Sequence, residues 1–435
     1  MAEKIDNKKN YTIPIIVMFL LFGMISFVTN LASPMGDILK NQFNIPNWQG
    51  TLGVFANFIA YAVMGIPSGN LLQKKGYKTT ALIAVAVGFV GVGIQTLSGA
   101  FESFFIYLIG AFIAGFSMCL LNTVVNPMLN KLGGGGNKGN QLIQIGGSFN
   151  SLMGTAVIII TGLLIPQGIK NANISNVFPL MYTALIIFAL AFVVIFITKI
   201  PENEAKSSTV AVNETGKGPM SFRHFVLGAI AIFIYVGVEV GIPNVLNKWL
   251  QNPDLNVLGD GVNAEAVAGS VAATYWFLML IGRLIGGIIG NKVSAKKMLT
   301  VVSCVGIILT LLAMFGPATM IKFPAFNGAK GFGLECIPLN AAFLVCIGLC
   351  TSVMWGGIFN LAVEGLGRYT EKASGIFMAL VCGGGILPLL MNLIVDNTGG
   401  TGYLQSYWII VIGLAYILFY ALWGSKNVNK DIPTE

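Results

Sequence analysis

The residues of this chain whose types and setting point to chemistry are a few ionisable and amide side chains inside long apolar runs: Asp37, Glu239, Arg283, Asn122, Asn126 and Asn150. An ionisable group at the centre of a bilayer costs roughly 2.5–3.5 kcal/mol on insertion scales, so it faces a cavity or a partner. Asp37 follows Pro34 and Gly36, which loosen a helix and free carbonyls for ion coordination. As a proton carrier it needs burial; as a sodium ligand it stays charged, with Asn122, Asn126, Asn150 and Ser151 as further oxygen donors. The competing reading is a carboxylate in an outer loop. Glu239, one to two turns before Pro243, is able to accept two hydroxyl groups of a polyol, or else forms a structural bond to a neighbouring helix. Arg283 is expected in a charge network at the inner gate, and Glu364 and Arg368, spaced i, i+4, as a latch at the same gate.

The elements that must position these groups are helices in lipid. Of the 435 residues, 55% are hydrophobic and 10% charged, against about 25% charged in soluble proteins. The apolar residues fall into blocks of about twenty, the length that crosses roughly 30 Å of hydrocarbon. Helices are predicted over 12–39, 48–72, 79–98, 103–131, 140–165, 177–199, 222–250, 266–290, 296–316, 339–364, 373–395 and 403–424. No cleavage site follows the first block, so a removable signal peptide is not expected. The cysteines lack metal-ligand spacing, and Cys336 is expected in a loop without a disulfide partner. The glycine runs at 133–136 and 383–385 follow no strand, which excludes a phosphate loop and with it direct ATP hydrolysis; close helix packing is the expectation. The lone His224 is expected to be solvated. The net charge of +8 is not clustered, so nucleic acid is not an expected partner. No His, Asp or Ser constellation suggests an enzyme.

The charges orient the chain. With the N-terminus inside, all lysines and arginines fall in inner segments except Lys40, Lys170, Lys248, Lys322, Lys330 and the intramembrane Arg283. The positive-inside rule then places both termini in the cytoplasm. The long polar segment from Pro201 to Pro219 reads as a flexible linker between two halves. Gly69-Asn-Leu-Leu-Gln-Lys-Lys-Gly-Tyr-Lys78 echoes Gly287-Ile-Ile-Gly-Asn-Lys-Val-Ser-Ala-Lys296 without a gap, and paired halves around a midplane site are the architecture of alternating access.

Those two loops resemble the signature of the major facilitator superfamily, with Gln73 in place of its usual acid. Over nearly the whole chain the sequence is similar to the fucose and glucose/galactose permease branch. The similar segments are Asn30 to Leu39, Cys119 to Pro127, Gly147 to Ser151, Tyr235 to Val240, Ile281 to Arg283, Ile358 to Gly367 and Cys382 to Ile386. The resemblance implies an all-α membrane protein of twelve helices in two pseudo-symmetric six-helix halves, 1–200 and 222–435, joined by a linker at 201–221. It implies a monomeric inner-membrane importer of a neutral hexose or deoxyhexose, driven by proton or sodium symport without a cofactor. In that reading Asp37 and Asn122 serve cation coupling. Asn126, Asn150, Glu239, Trp355 and Asn360 shape the sugar site, Trp355 as its aromatic platform, with Tyr275 and Trp276 as second choices. Two positions depart from the branch: Asn122 stands where a fourth-helix carboxylate is usual, and Gly147 where a glutamine is. The alternatives are an exporter of an amphipathic compound and a non-transporting sugar receptor.

Overall fold

The computed structural model describes residues 11–43, 52–164, 174–201, 218–252, 254–328, 331–398, 402–429 and 432. Most of the linker expected at 201–221 lies outside these residues, as do Lys4, Lys8, Lys9, Lys170, Lys330 and the side chains of Asp37 and Lys40.

Ten helical segments among the described residues are long and apolar enough to cross a membrane. One of them, Leu52–Ala100, is 49 residues long, about twice what one crossing needs. It is two spans hinged at Gly76, whose φ of 78° and ψ of 177° are open only to glycine. The hairpin is visible in its packing: on the next helix, the neighbouring residues Ala114 and Gly115 touch Gly91 and Ala60, which lie on opposite sides of Gly76. Gly76→Ala should therefore cost about 1–3 kcal/mol, readable as a lower midpoint in denaturant unfolding of the detergent-solubilised protein.

We number the spans in chain order. Span 1 is Thr12–Phe43, spans 2 and 3 share Leu52–Ala100, and spans 4, 5 and 6 are Phe104–Leu132, Gly136–Leu164 and Phe178–Ile197. Spans 7, 8 and 9 are Arg223–Gln251, Ala264–Ile289 and Ala295–Phe315. Span 10 is broken into Leu339–Thr351 and Met354–Val363, span 11 into Thr370–Ala379 and Gly383–Thr398, and span 12 ends on a π-helical turn, Tyr420–Gly424. The chain thus has the twelve-helix fold in two six-helix halves. Large apolar side chains such as Phe196, Ile197, Ile288 and Phe315 stand exposed on its flanks, as a lipid-facing wall requires.

One end of the bundle carries the chain turns at 133–136, 290–294 and 365–367 and the segment entering span 7; we term it the linker end. The opposite end carries a β-hairpin, Met320–Phe326 paired antiparallel with Phe332–Pro338. No strand is expected there from the sequence, because seven-residue strands at a membrane surface lack a long alternating pattern. Glycines at φ 53° (Gly328) and 76° (Gly331) make the turn. Asn327 secures the hairpin by accepting from the Asn263 amide (3.1 Å) and donating to Glu335 (2.8 Å). Cys336, expected in a loop, sits in this hairpin opposite Lys322 as a free thiol.

The two halves meet at the linker end along small residues. Gly65 lies against Ala379 and Gly69 against Gly375, so spans 2 and 11 touch backbone to backbone. Gly286 and Gly287 of span 8 and the adjoining Gly290 receive Gln144, Ile145 and Gln141 of span 5. Gln141 donates to Gly287 O (2.9 Å), and Gln144 donates to Val353 O (2.8 Å). Val353 O also accepts from Gly357 N (3.1 Å), the first bond of the second helical piece of span 10, so Gln144 adds a bond from the other half at the break. A broken helix is tolerated at membrane depth only where other groups satisfy it.

Two expectations need correction at this end. His224 is fully buried rather than solvated: Pro219–Ser221 forms a 3₁₀ turn that carries it into the bundle, where its Nε2 pairs with Glu364 O at 2.9 Å. Glu364 and Arg368 do not lie one helical turn apart, because the chain leaves the helix at Glu364 (ψ 122°) and passes through Gly365 and Gly367 with positive φ. Arg368 instead donates to the Tyr369 hydroxyl (3.2 Å) and covers its ring. Arg283 lies in the linker-end part of span 8, six residues before Ile289, and is part of both a cross-half network and the cavity described next.

Candidate functional site

A cavity of about 40 Å³ opens between the halves above the linker-end seam, lined by Ser26, Asn30, Asn150, Ser151, Gly154, Thr155, Glu239, Trp276 and Arg283. That volume holds a few waters, so a larger solute needs the halves to move. Spans 1 and 5 provide one wall. Asn30 donates to Ser26 O and Oγ (both 2.9 Å), and Gly154 packs against those two side chains. Asn150 donates to Phe22 O (3.2 Å), which leaves its carbonyl oxygen for the cavity.

Arg283 is the centre of the opposite wall. Its Nη2 donates to Glu239 Oε1 (3.2 Å), and this is an ion pair with both side chains nearly buried. Its Nη1 reaches the other half, donating to Ser151 Oγ (2.7 Å), Gly147 O (2.9 Å) and Asn150 Oδ1 (3.4 Å). Its Nε donates to Ser352 O (3.3 Å), a carbonyl exposed by the break in span 10. The spacing 147, 150, 151 puts all three span-5 acceptors on one helix face. The pair cancels its own charge. What remains is a set of donors and acceptors suited to a neutral, hydroxyl-rich solute rather than to an ion. Tyr235, one turn before Glu239, carries a fully buried hydroxyl without a hydrogen-bond partner; an isolated phenol in an apolar helix gives no sequence signal.

The structure therefore brings together Asn150, Ser151, Glu239, Arg283 and the second-choice aromatic Trp276 of the residues expected from the sequence, and adds Ser26, Asn30 and Thr155. Asn122, Asn126, Trp355 and Asn360 lie outside this cavity, along the seam between spans 4 and 10. Asn122 donates to the Tyr61 hydroxyl (2.8 Å), and Asn126 donates to Asn122 O (2.8 Å). Trp355 Nε1 donates to Asn126 Oδ1 (2.9 Å), and Asn130 donates to Asn360 Oδ1 (2.7 Å), so both pairs tie the halves together. The Trp355 ring is held edge-on by Phe377 and tilted against Tyr235, with centroids 6.2 and 6.3 Å away. Trp276 is the aromatic that faces the cavity. Pro127 frees the carbonyl of Thr123, and Ser374 of the opposite half donates to it (3.1 Å), so the repair comes from across the seam. The gate residues that the sequence did not reveal are Asn130, Gln141, Gln144, Ser374 and Glu371, which accepts from Tyr77 of the other half at 3.4 Å.

The sequence profile described as Major Facilitator Superfamily matches residues 15–389. The chain belongs to that superfamily. Its curated relatives within the superfamily include a glucose/galactose transporter of Brucella abortus (strain 9-941), 28% identical over 426 residues that cover 97% of this chain and 96% of the relative. The L-fucose-proton symporter of Escherichia coli (strain K12) is 22% identical, covering 98% of this chain and 96% of the relative. Among solved structures, the superfamily transporter FucP in the outward conformation superposes with a TM-score of 0.77 at 20% identity, covering 96% of this chain and 100% of that one. The superfamily fold explains why the mid-level cavity sits between halves and why one end is sealed: its members carry solutes by opening the two ends in turn.

Proposed function

We propose that this chain imports a neutral monosaccharide, a hexose or deoxyhexose, by symport with a cation. The observation that carries the reading is the self-neutralised Glu239–Arg283 pair set among Asn30, Asn150, Ser151 and Thr155, between two halves sealed at one end. A carboxylate and a guanidinium side by side receive two neighbouring hydroxyls as acceptor and donor, and Trp276 offers a face to the sugar's C–H groups. The names of the Brucella and Escherichia relatives support the same substrate class. The polar lining disfavours the alternative, an exporter of an amphipathic compound, whose cavity calls for apolar walls.

The chain acts as a carrier and not a catalyst, as a single copy, in the inner membrane with both termini in the cytoplasm, so the linker end is the cytoplasmic one. It needs no cofactor. The proton is the first choice of coupling ion, in line with the Escherichia relative, and sodium the second. Asp37 carries the coupling charge. Asn122, spent on the Tyr61 hydroxyl, is an amide without a proton to give up and assists at most as an oxygen donor. Uptake into proteoliposomes from a panel of glucose, galactose, fucose and xylose, with proton and sodium gradients imposed separately, tests the proposal. Gradient-driven accumulation of at least one sugar is the expected result, and none under either gradient rejects the reading. In the same vesicles Asp37→Asn should abolish accumulation and leave exchange of sugar between the two sides intact; full accumulation removes Asp37 from coupling.

A further inference from the structure

We infer that Arg283 is a strap across the linker-end seam, that Gly147 is the residue that makes room for it, and that a bound sugar releases it; the last part rests on the sugar reading above. Arg283 belongs to the C-terminal half, yet three of its five contacts, those to Gly147, Asn150 and Ser151, go to span 5 of the N-terminal half. Opening the linker end separates spans 5 and 8, so all three must be lost together. Hydrogen bonds that involve a buried charge are the expensive ones to leave unmade.

A sugar hydroxyl changes that balance. Asn150 and Ser151 line the cavity, and a hydroxyl placed between them and the guanidinium accepts from Nη1 while donating to the amide or hydroxyl oxygen. The guanidinium then no longer needs span 5, and Glu239 of its own half continues to hold its charge. The strap is released only when a ligand takes its place, which keeps an empty carrier from opening inward with a buried charge half-satisfied.

Gly147 has a distinct part. It does not line the cavity; its carbonyl is one of the three acceptors and its missing side chain is the space over which the arginine lies. A Cβ there would stand 3.3 Å from Arg283 Cδ and 3.5 Å from Nε. A methyl group is accommodated by a shift of a few tenths of an ångström, whereas a branched side chain pushes the arginine stem off span 5 while Glu239 keeps the guanidinium within the cavity.

The test uses a reporter remote from the strap. Ser374 is fully buried on span 11 at the seam with span 4, and Ser374→Cys is close to isosteric. In inside-out vesicles of a Cys336→Ser background, a membrane-impermeant maleimide should label this cysteine slowly, and faster by about tenfold when a transported sugar is present. Adding Gly147→Val should raise the sugar-free rate to the sugar-bound level and abolish the response, with equilibrium sugar binding kept within about threefold. Gly147→Ala should move the rate the same way by less, and serves if the valine variant does not fold. An unchanged sugar-free rate in both variants overturns the strap, as does lost sugar binding with the labelling response intact. If the parent shows no response to any sugar while Gly147→Val still raises labelling, the strap stands and the sugar reading falls.

Discussion

Glu239→Ala should reduce sugar uptake by at least about a hundredfold and destabilise the protein by about 3–5 kcal/mol, because it strands the Arg283 guanidinium in a nearly closed cavity. The remaining acceptors, Ser151, Asn150, Gly147 O and Ser352 O, bond the guanidinium but carry no charge to balance it. Removing both charges in Glu239→Ala/Arg283→Met should restore most of the lost stability, since an apolar replacement of a buried pair is often neutral. Uptake should stay at the level of the single variant, because the donor and acceptor that meet the sugar are gone. Thermal unfolding in detergent beside uptake in vesicles separates the two effects. Restored uptake in the double variant would sink the binding role of the pair, and an unchanged midpoint in Glu239→Ala would show that the pair is not structurally coupled.

The second large effect is expected at a site with no polar chemistry. Gly65→Leu should bring transport to background while leaving the protein folded. A Cβ at Gly65 would sit 2.5 Å from the Cα of Ala379, and at Gly375 the corresponding atom would meet the Gly69 backbone equally closely. Neither neighbour is a flexible side-chain tip, so spans 2 and 11 cannot close over a larger residue. Both halves keep their own packing, because the clash lies between them. The carrier should therefore be held open at the linker end, with a buried seam residue such as Ser374, as Ser374→Cys, alkylated from that side with or without sugar. Transport within about twofold of the parent would show that the halves do not need this contact to alternate.

Much of the fold was legible because lipid imposes simple rules: a helix that must satisfy its own backbone needs about twenty apolar residues, and these recur along the chain. The predicted helix ends agree with the observed ones to a few residues over spans 3, 4, 7, 8 and 9. The first helix runs on to Phe43, and the break in span 10 at Ser352 and Val353 was not legible, because an apolar run reads the same whether or not the helix is continuous. The Ser352 carbonyl exposed there receives Arg283, and Gln144 adds a bond to the Val353 carbonyl, which also accepts from Gly357 N. The break is therefore braced by partners from other spans, which a local reading of the chain does not show.

The site shows the same division. Glu239 and Arg283 stood out in the sequence because charge in an apolar run is costly. Their partnership did not, since residues on spans 7 and 8 have no fixed relation until the helices pack. Asn126, Trp355 and Asn360 had the right chemistry for a sugar, and the structure spends them on the seam. Trp276, only a second choice beside Trp355 in the sequence, is the one that lines the cavity. Gly147 carried no chemistry at all in the sequence, yet it decides where the arginine lies.

The sequence by itself determined that the chain spans a membrane twelve times and which residues are too costly to be there without a purpose, because both follow from the transfer of single groups between water and hydrocarbon. Only the tertiary structure decided which of those residues meet, which seal the linker end and which face the cavity, because hydrogen bonds act over about 3 Å and helix packing alone brings atoms from distant spans within that reach.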